Sequence, residues 1–206
     1  MKSTVTNPQV ITRPKTFLSL LAGAAVLILM IRGDALAQTF IDLGNAASFG
    51  VLGAETVTNG GDTIVDGDVG VHPGPDVVGF PPGIVLAPYT IYETTTEAAN
   101  AQTDLTTAYN NADGQTSTSS VTELSGLTLV PGVYTSAATM SLTAGNLTLD
   151  AQDDPNAVWI FQAGSDLIVG SSTQVILSNG AQAGNVFWQV SSSATIGTSA
   201  SFNGTI

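Results

Sequence analysis

The chain has 206 residues, no cysteine, four Lys and Arg against sixteen Asp and Glu, and a formal net charge of −12. Lys2, Arg13, Lys15 and Arg32 all precede Gln38, as does one carboxylate, Asp34, so residues 38–206 hold fifteen carboxylates and no Lys or Arg at all. Such a segment cannot neutralise phosphates, which excludes nucleic acid as a partner, and it lacks the cations that enzymes direct at anionic substrates; with no disulfides either, its fold must rest on apolar burial and backbone hydrogen bonds.

In chain order the first element is a leader. Lys2, Arg13 and Lys15 precede an apolar run over residues 17–31, and Ala35-Leu36-Ala37 then offers a small-residue cleavage site. This is the pattern of a secretory signal peptide over 1–37, and it predicts a secreted protein whose residues 38–206 form one domain. The apolar run of about 15 residues is short of the ~20 that a membrane span takes, so no membrane association is expected after cleavage.

Residues 40–44 and 49–52 read as entry strands, followed by Thr56-Val57-Thr58 and the turn Asn59-Gly60-Gly61. Residues 63–71 are strand-like, with Ile64, Val69 and Val71 expected to point inward. The Pro- and Gly-rich residues 73–88 read mainly as loop, with Val77-Val78 as a short strand. Over about 92–113 the period changes: Ala98, Ala101, Leu105, Ala108, Tyr109 and Ala112 fall on one helical stripe. Glu93 and Glu97 sit where a helix dipole favours anions, and Gly114 is placed as the residue that ends the helix. The opposite face is Thr and Asn, poor helix formers, so this helix needs a surface to lie on. From Val121 strands return, at residues 127–130, 133–135, 140–143 and 147–149, with a turn at Asp153-Asp154-Pro155-Asn156.

Residues 157–206 repeat. Ile160-Phe161-Gln162 returns 27 positions later as Phe187-Trp188-Gln189, Val169-Gly170-Ser171-Ser172 as Ile196-Gly197-Thr198-Ser199, and Val175 as Phe202. Three short strands and three corners make about one such period, so each unit reads as one coil of a three-sided β-solenoid. Val158-Trp159-Ile160-Phe161 and Phe187-Trp188 are apolar on both sides of the strand, which predicts one wall covered on its outside by the helix. On a second wall Leu167, Val169, Ala194 and Ile196 point in, and Ile168 and Thr195 point out, one above the other. On a third, Gln174 stacks on Ser201, Ile176 on Asn203 and Ser178 on Thr205.

Gly67-Asp68-Val69-Gly70-Val71, the helix ending Ala108-Tyr109-Asn110-Asn111-Ala112-Asp113-Gly114, Leu127-Thr128-Leu129-Val130-Pro131-Gly132-Val133-Tyr134, Ala157-Val158-Trp159-Ile160-Phe161-Gln162 and Asn185-Val186-Phe187-Trp188-Gln189-Val190 together resemble the secreted ice-binding (antifreeze) proteins of cold-adapted bacteria, fungi and microalgae. The resemblance covers nearly all of residues 40–206. It implies a mostly β fold: a right-handed, triangular, discontinuous β-helix with the helix along one wall. It also implies a flat outer wall that adsorbs to ice, giving thermal hysteresis and inhibition of ice recrystallisation. It further implies a monomer with no enzymatic activity, cofactor or metal. Family members usually continue beyond a motif like Phe202-Asn203-Gly204-Thr205-Ile206, so the domain is expected to lack its last coils, leaving an open strand edge. The Thr-Ala/Gly-X-Thr/Asn ladder of some bacterial members is not present as a clean repeat.

Stacked strands place outward side chains roughly 4.8 Å apart across the coils and ~6.6–7 Å apart along them. A stiff grid of methyls and hydroxyls can order water without the strong hydration of charges or the ordering cost of long side chains. Ile168, Ser171, Thr195 and Thr198 meet this requirement on the second wall. By resemblance, Thr56, Val78 and Ser141 (within Met140-Ser141-Leu142) belong to the same wall in earlier coils. The same flat polar surface also suits a carbohydrate-binding or adhesive solenoid. Asp62, Asp66 and Asp68 lack the calcium-loop pattern and read as a structural turn. His72, the one candidate base, precedes Pro73 in a loop, and a parallel β-helix lyase would need a strong base that residues 38–206 do not contain. Asn146-Leu147-Thr148 and Asn203-Gly204-Thr205 are glycosylation sequons only in a eukaryotic secretory route.

Overall fold

The chain runs in coils, each leaving one short strand on each of three walls. The first two coils supply β1 (Phe49–Gly53), β2 (Thr56–Thr58) and β3 (Ile64–Val65), then β4 (Asp68–Val71), β5 (Asp76–Val78) and β6 (Ile84–Val85). β7 (Ile91–Glu93) begins a third coil, which is interrupted by an α-helix, α1 (Thr96–Asp113). The chain re-enters at β8 (Ser119–Ser120) and β9 (Thr128–Leu129). It then winds through β10 (Gly132–Ser136), β11 (Met140–Leu142), β12 (Asn146–Asp150), β13 (Trp159–Ala163), β14 (Leu167–Val169), β15 (Gln174–Ser178), β16 (Val186–Val190) and β17 (Ala194–Ile196). This computed structural model describes residues 38–206; the predicted signal peptide, 1–37, lies outside the described residues.

Among the described residues all strand pairs are parallel, as a solenoid requires, because every coil re-enters a wall in the same direction. The first stack is ordered β1-β4-β7, β2-β5 and β3-β6; the second is ordered β16-β13-β10-β8, β11-β14-β17 and β15-β12-β9. The 27-residue spacing holds in the upper coils, where Ile160 pairs with Phe187 and Ile168 with Thr195. Other coils are shorter: Thr56 pairs with Asp76 and Ile64 with Ile84, each 20 residues on. Glycine sets the tightness of the corners. A Cβ on Gly170 would stand 2.7 Å from Thr143 O of the coil beneath, closer than side-chain carbons come to backbone oxygen.

The wall of β10, β13 and β16 is buried on both faces. Its inward residues Tyr134, Phe161 and Trp188 stand in register, with ring centroids 5.5 and 4.0 Å apart, and Phe202 continues the stack at 5.0 Å. Trp159, fully buried, donates its Nε1–H to Leu129 O at 3.2 Å. On the outer face Val133, Val158, Ile160 and Phe187 form a second core with Ile41, Ala108 and Ala112. Burying Ile160 and Phe187 in this way is worth about 1.5–3 kcal/mol each. The helix is therefore held by the wall, as its weak intrinsic propensity demands.

Several sequence expectations are corrected. The helix begins at Thr96 rather than 92, because Tyr92 and Glu93 pair with Gly70 and Val71 and Thr95 is the N-cap, its Oγ1 accepting the Ala98 N–H. Glu93 is thus outside the helix and accepts the Val77 N–H, while Glu97 does lie in the first turn. Gly114 ends the helix at φ −74°, in the right-handed region, so it is not a left-handed terminator. Tyr109 is exposed. Residues 40–43 form no strand; they carry Ile41 into the helix–wall seam and lead into the 3₁₀ turn Gly44–Ser48. Val65, not Ile64, points inward from β3, and Ile64 stacks outward on Ile84. Ile84-Val85 forms a strand within the Pro-rich segment. Ser201 does bridge Gln174, but Thr205 bridges Phe187, so the chain has already left the third wall and the pair Ser178/Thr205 does not form. Among the described residues no helix is long and apolar enough to cross a membrane.

Candidate functional site

The sheet β11-β14-β17 has one face against the core and one face outward. Met140 and Leu142, then Leu167 and Val169, are buried, while the residues between them point out. Exact pairing puts Ser141, Ile168 and Thr195 in a single row across three coils. Alternation makes this row outward, with Gly170 and Gly197 following it on one side and Asp166 and Ser193 preceding it on the other. Ile168 is 41% exposed, and the Thr195 hydroxyl has no protein partner among the described residues. Ala194 and Ile196, expected inward, are exposed, since no described coil stacks beyond β17.

Ser171 and Thr198 occupy the corner turns after β14 and β17. Both are exposed, and the Ser172 N–H donates to Thr198 O at 3.0 Å, so these corners also stack. They rim the row rather than extend it. Thr56 and Val78 are exposed on the separate two-stranded sheet β2-β5, where Thr56 pairs with Asp76 and Val78 with Thr58. They therefore share neither a row with each other nor a hydrogen-bonded sheet with Ser141, Ile168 and Thr195. Thr58 and Asp76 are the outward neighbours that sequence reading missed.

Glu123 was also missed. It bridges Ser141 in the coil below β11, at the foot of the row. Its separation from Ser141 is 18 residues, because the chain re-enters the wall late from α1, so a search for a 27-residue period passes over it. Its carboxylate accepts from Ser141 Oγ at 3.0 Å, Thr143 Oγ1 at 3.1 Å, Ser125 N–H at 3.0 Å and Thr143 N–H at 3.3 Å, and from Ser125 Oγ. Partial burial raises this carboxyl, but the hydrogen bonds from Ser125, Ser141 and Thr143 outweigh it and bring it down to about 2. At the next corner Ser193 and Ser165 hydroxyls, at 2.7 and 3.1 Å, hold Asp166 below the usual carboxylate range. With no Lys or Arg available, hydroxyls and amides take the place of cations around these carboxylates.

Nothing here gathers reactive groups. Among the described residues no three His, Asp or Glu side chains are placed to hold a metal ion. Asp68, expected in a turn, is instead the first residue of β4; it is buried and accepts the Thr90 N–H of the next coil at 2.9 Å. The His72 N–H donates to Gly53 O in the corner after β4. A cleft of about 530 Å³ lies beside β1, lined by residues that include Phe49, Val51, Leu52, Leu105 and Thr205, none of them ionisable.

A parallel three-sided solenoid, helix-backed on one wall and carrying a flat row of small or aliphatic groups on another, defines a structural class of surface-presenting proteins. The chain belongs to the ice-binding-like family, whose model matches residues 51–206. It is 45% identical to the ice-binding protein of Nostoc sp. (strain HG1) over 175 residues, 84% of this chain and 64% of that one. It is 33% identical to ice-binding protein 1 of Shewanella frigidimarina, over 80% of this chain and 22% of that one. The crystal structure of an ice-binding protein from an Antarctic biological consortium superposes with a TM-score of 0.79 at 42% identity, over 82% of this chain and 76% of that one. The chain thus spans less than two thirds of the length of these two curated relatives.

Proposed function

We propose that this protein adsorbs to ice through the outer face of β11, β14 and β17, so that growth of the bound crystal is held back, and that it does so outside the cell and without catalysing a reaction. The observation that carries the reading is the row Ser141, Ile168 and Thr195, set in register on a rigid parallel sheet. Row spacing across a parallel sheet is roughly 4.8 Å, short enough for neighbouring side chains to act on one layer of water. A methyl-rich row with isolated hydroxyls lets water form its own hydrogen bonds over the apolar groups and anchors it at the polar ones. No Lys or Arg lies in residues 38–206 to hold hydration water in another geometry. Membership of the family supports the reading, as does the chain's similarity to ice-binding proteins of other organisms. The leader pattern of residues 1–37 supports secretion.

Thr56, Thr58 and Val78 on β2-β5 are proposed as a second, smaller part of the adsorbing surface. Adsorption depends on flatness, so a bulky side chain in the row tests the face. Ile168→Tyr is expected to lower thermal hysteresis about fivefold or more at equal concentration, the scale of losing one central contact. Thr148→Tyr, on the separate sheet β15-β12-β9, is expected to leave it unchanged. Circular dichroism near 0 °C checks that both variants are folded. Full hysteresis in folded Ile168→Tyr would exclude this wall, and normal crystal growth in folded wild-type protein would exclude ice binding altogether.

A further inference from the structure

We propose that Glu123 is a positioning residue for the ice-facing wall: it draws the hydroxyl protons of Ser125, Ser141 and Thr143 onto its carboxylate, so that the foot of the row meets water with acceptor lone pairs alone. The inference rests on the ice-binding reading of this wall and adds to it a fixed polarity.

A hydroxyl has one proton and two lone pairs. Left free it rotates, donating to one water at one moment and accepting from another at the next. Here the three hydroxyls converge on one ionised acceptor. Ser141 Oγ lies 3.0 Å and Thr143 Oγ1 3.1 Å from Glu123 Oε2, and Ser125 Oγ donates to Oε1. Ser141 Oγ also lies 3.2 Å from Thr122 O, a second inward acceptor for the same proton. Ser125 Oγ in turn accepts the Ala144 N–H at 2.9 Å, which fixes its remaining geometry. Charge-assisted hydrogen bonds are the stronger kind, and a carboxylate can accept several at once. The group stays ionised through the ordinary pH range, since these same contacts hold its carboxyl at about 2.

The consequence concerns water orientation. In ice each water donates two hydrogen bonds and accepts two at fixed oxygen positions, and a freely rotating hydroxyl facing it must settle into one role when ice forms, at a cost in entropy. Glu123 imposes that order beforehand. Glu123 is itself exposed, and its charge is spread over five donors from Ser125, Ser141 and Thr143, which is how a carboxylate can stand at the foot of an adsorbing row.

Glu123→Gln tests this. Its amide replaces one acceptor oxygen with a donor, so at least one hydroxyl must turn its proton out to water. Folded Glu123→Gln is expected to lose about fivefold of the wild-type hysteresis. In low-temperature proton NMR the Ser125 and Thr143 hydroxyl protons, slow to exchange in the wild type, should merge with water in the variant. A purely structural role would change the melting temperature without touching hysteresis at 0 °C, where the variant is still folded. Unchanged hysteresis in folded Glu123→Gln, or rapidly exchanging hydroxyls in the wild type, overturns the proposal. Should Glu123→Gln not fold, Thr143→Val decides, since Thr143 lies outside the row: a loss of hysteresis supports it, and full activity overturns it. A wild type without hysteresis sinks both this and the ice-binding reading; an active wild type with an equally active Glu123→Gln sinks this alone.

Discussion

Gln162 shows how one side chain can join two elements. It sits on β13, buried, on the wall face that looks at α1. Its Nε2 lies 2.8 Å from Ala112 O, 3.2 Å from Asp113 O and 2.9 Å from Gln115 O, and its Oε1 accepts the Thr135 hydroxyl at 2.6 Å. The last carbonyls of a helix have no partner of their own, and α1 has no basic residue in its final turn to supply one. Gln162→Leu keeps the volume but removes this donor from Asp113 O and Gln115 O and the acceptor of the Thr135 hydroxyl, while Ala112 O keeps backbone N–H partners, and should cost about 1–3 kcal/mol in urea unfolding. The repeat makes a sharper comparison available. Gln189 pairs with Gln162 one coil on and is equally buried, yet its Nε2 reaches only Ser191 Oγ at 3.4 Å. Gln189→Leu is expected to cost much less, although both residues occupy the same place in the repeat.

At the scale of elements, α1 and the wall beneath it depend on each other. Ala98, Ala101, Ala108 and Ala112 are buried, and their small side chains allow close approach to the sheet. Gln102 Nε2 donates to Gly53 O of β1 at 2.7 Å, Asn45 N–H donates to Asp104 at 2.8 Å, and Gln115 and Thr39 exchange a reciprocal pair of bonds. Polar tethers set the helix position, but they gain little net energy, and the apolar seam supplies most of the stability. Ile160 is fully buried in that seam. Ile160→Ala should destabilise the protein by about 2–5 kcal/mol. Because the row Ser141, Ile168 and Thr195 lies on a different wall, its hysteresis at 0 °C should survive as long as the fold does, which equilibrium unfolding and hysteresis measured on one sample would check.

For the molecule as a whole, the absence of Lys and Arg beyond residue 37 dictates the response to acid. Glu123 is brought from 4.5 to about 2 in the folded state, and hydrogen-bonding partners lower Asp104 (Asn45), Asp150 (Gln152 and Asn179) and Asp166 (Ser193 and Ser165) as well. A carboxyl depressed by folding contributes stability that is fully present above its unfolded value and lost as pH falls through its folded value. Stability should therefore be flat from pH 8 to about 5 and decline between about 4.5 and 2 in 0.15 M salt, where repulsion between distant carboxylates is screened within about 8 Å. Glu123→Gln should shrink that decline. A urea midpoint that rises on acidification would show that charge repulsion, not hydrogen bonding to carboxylates, dominates.

The sequence by itself determined the architecture. A 27-residue repeat in strand-like runs fixes parallel stacking, because identical units can only satisfy their backbone groups on the coil above and the coil below. Residues apolar on both sides, as at Ile160 and Phe187, already required a covering element, and one alanine stripe was available to be it. Ile168 and Thr195 followed from alternation together with the repeat, and Ser141 from the family resemblance. Only the tertiary structure decided how the shorter coils align. Their periods vary with loop length, so pairing there is set by what packs inside: Val65 rather than Ile64 turns inward, and Thr56 and Val78 fall on different rows of a separate sheet. The cage around Glu123 was invisible for the same reason, since its partners lie 2, 18 and 20 residues away and meet through the return of the chain from α1, not through any local pattern.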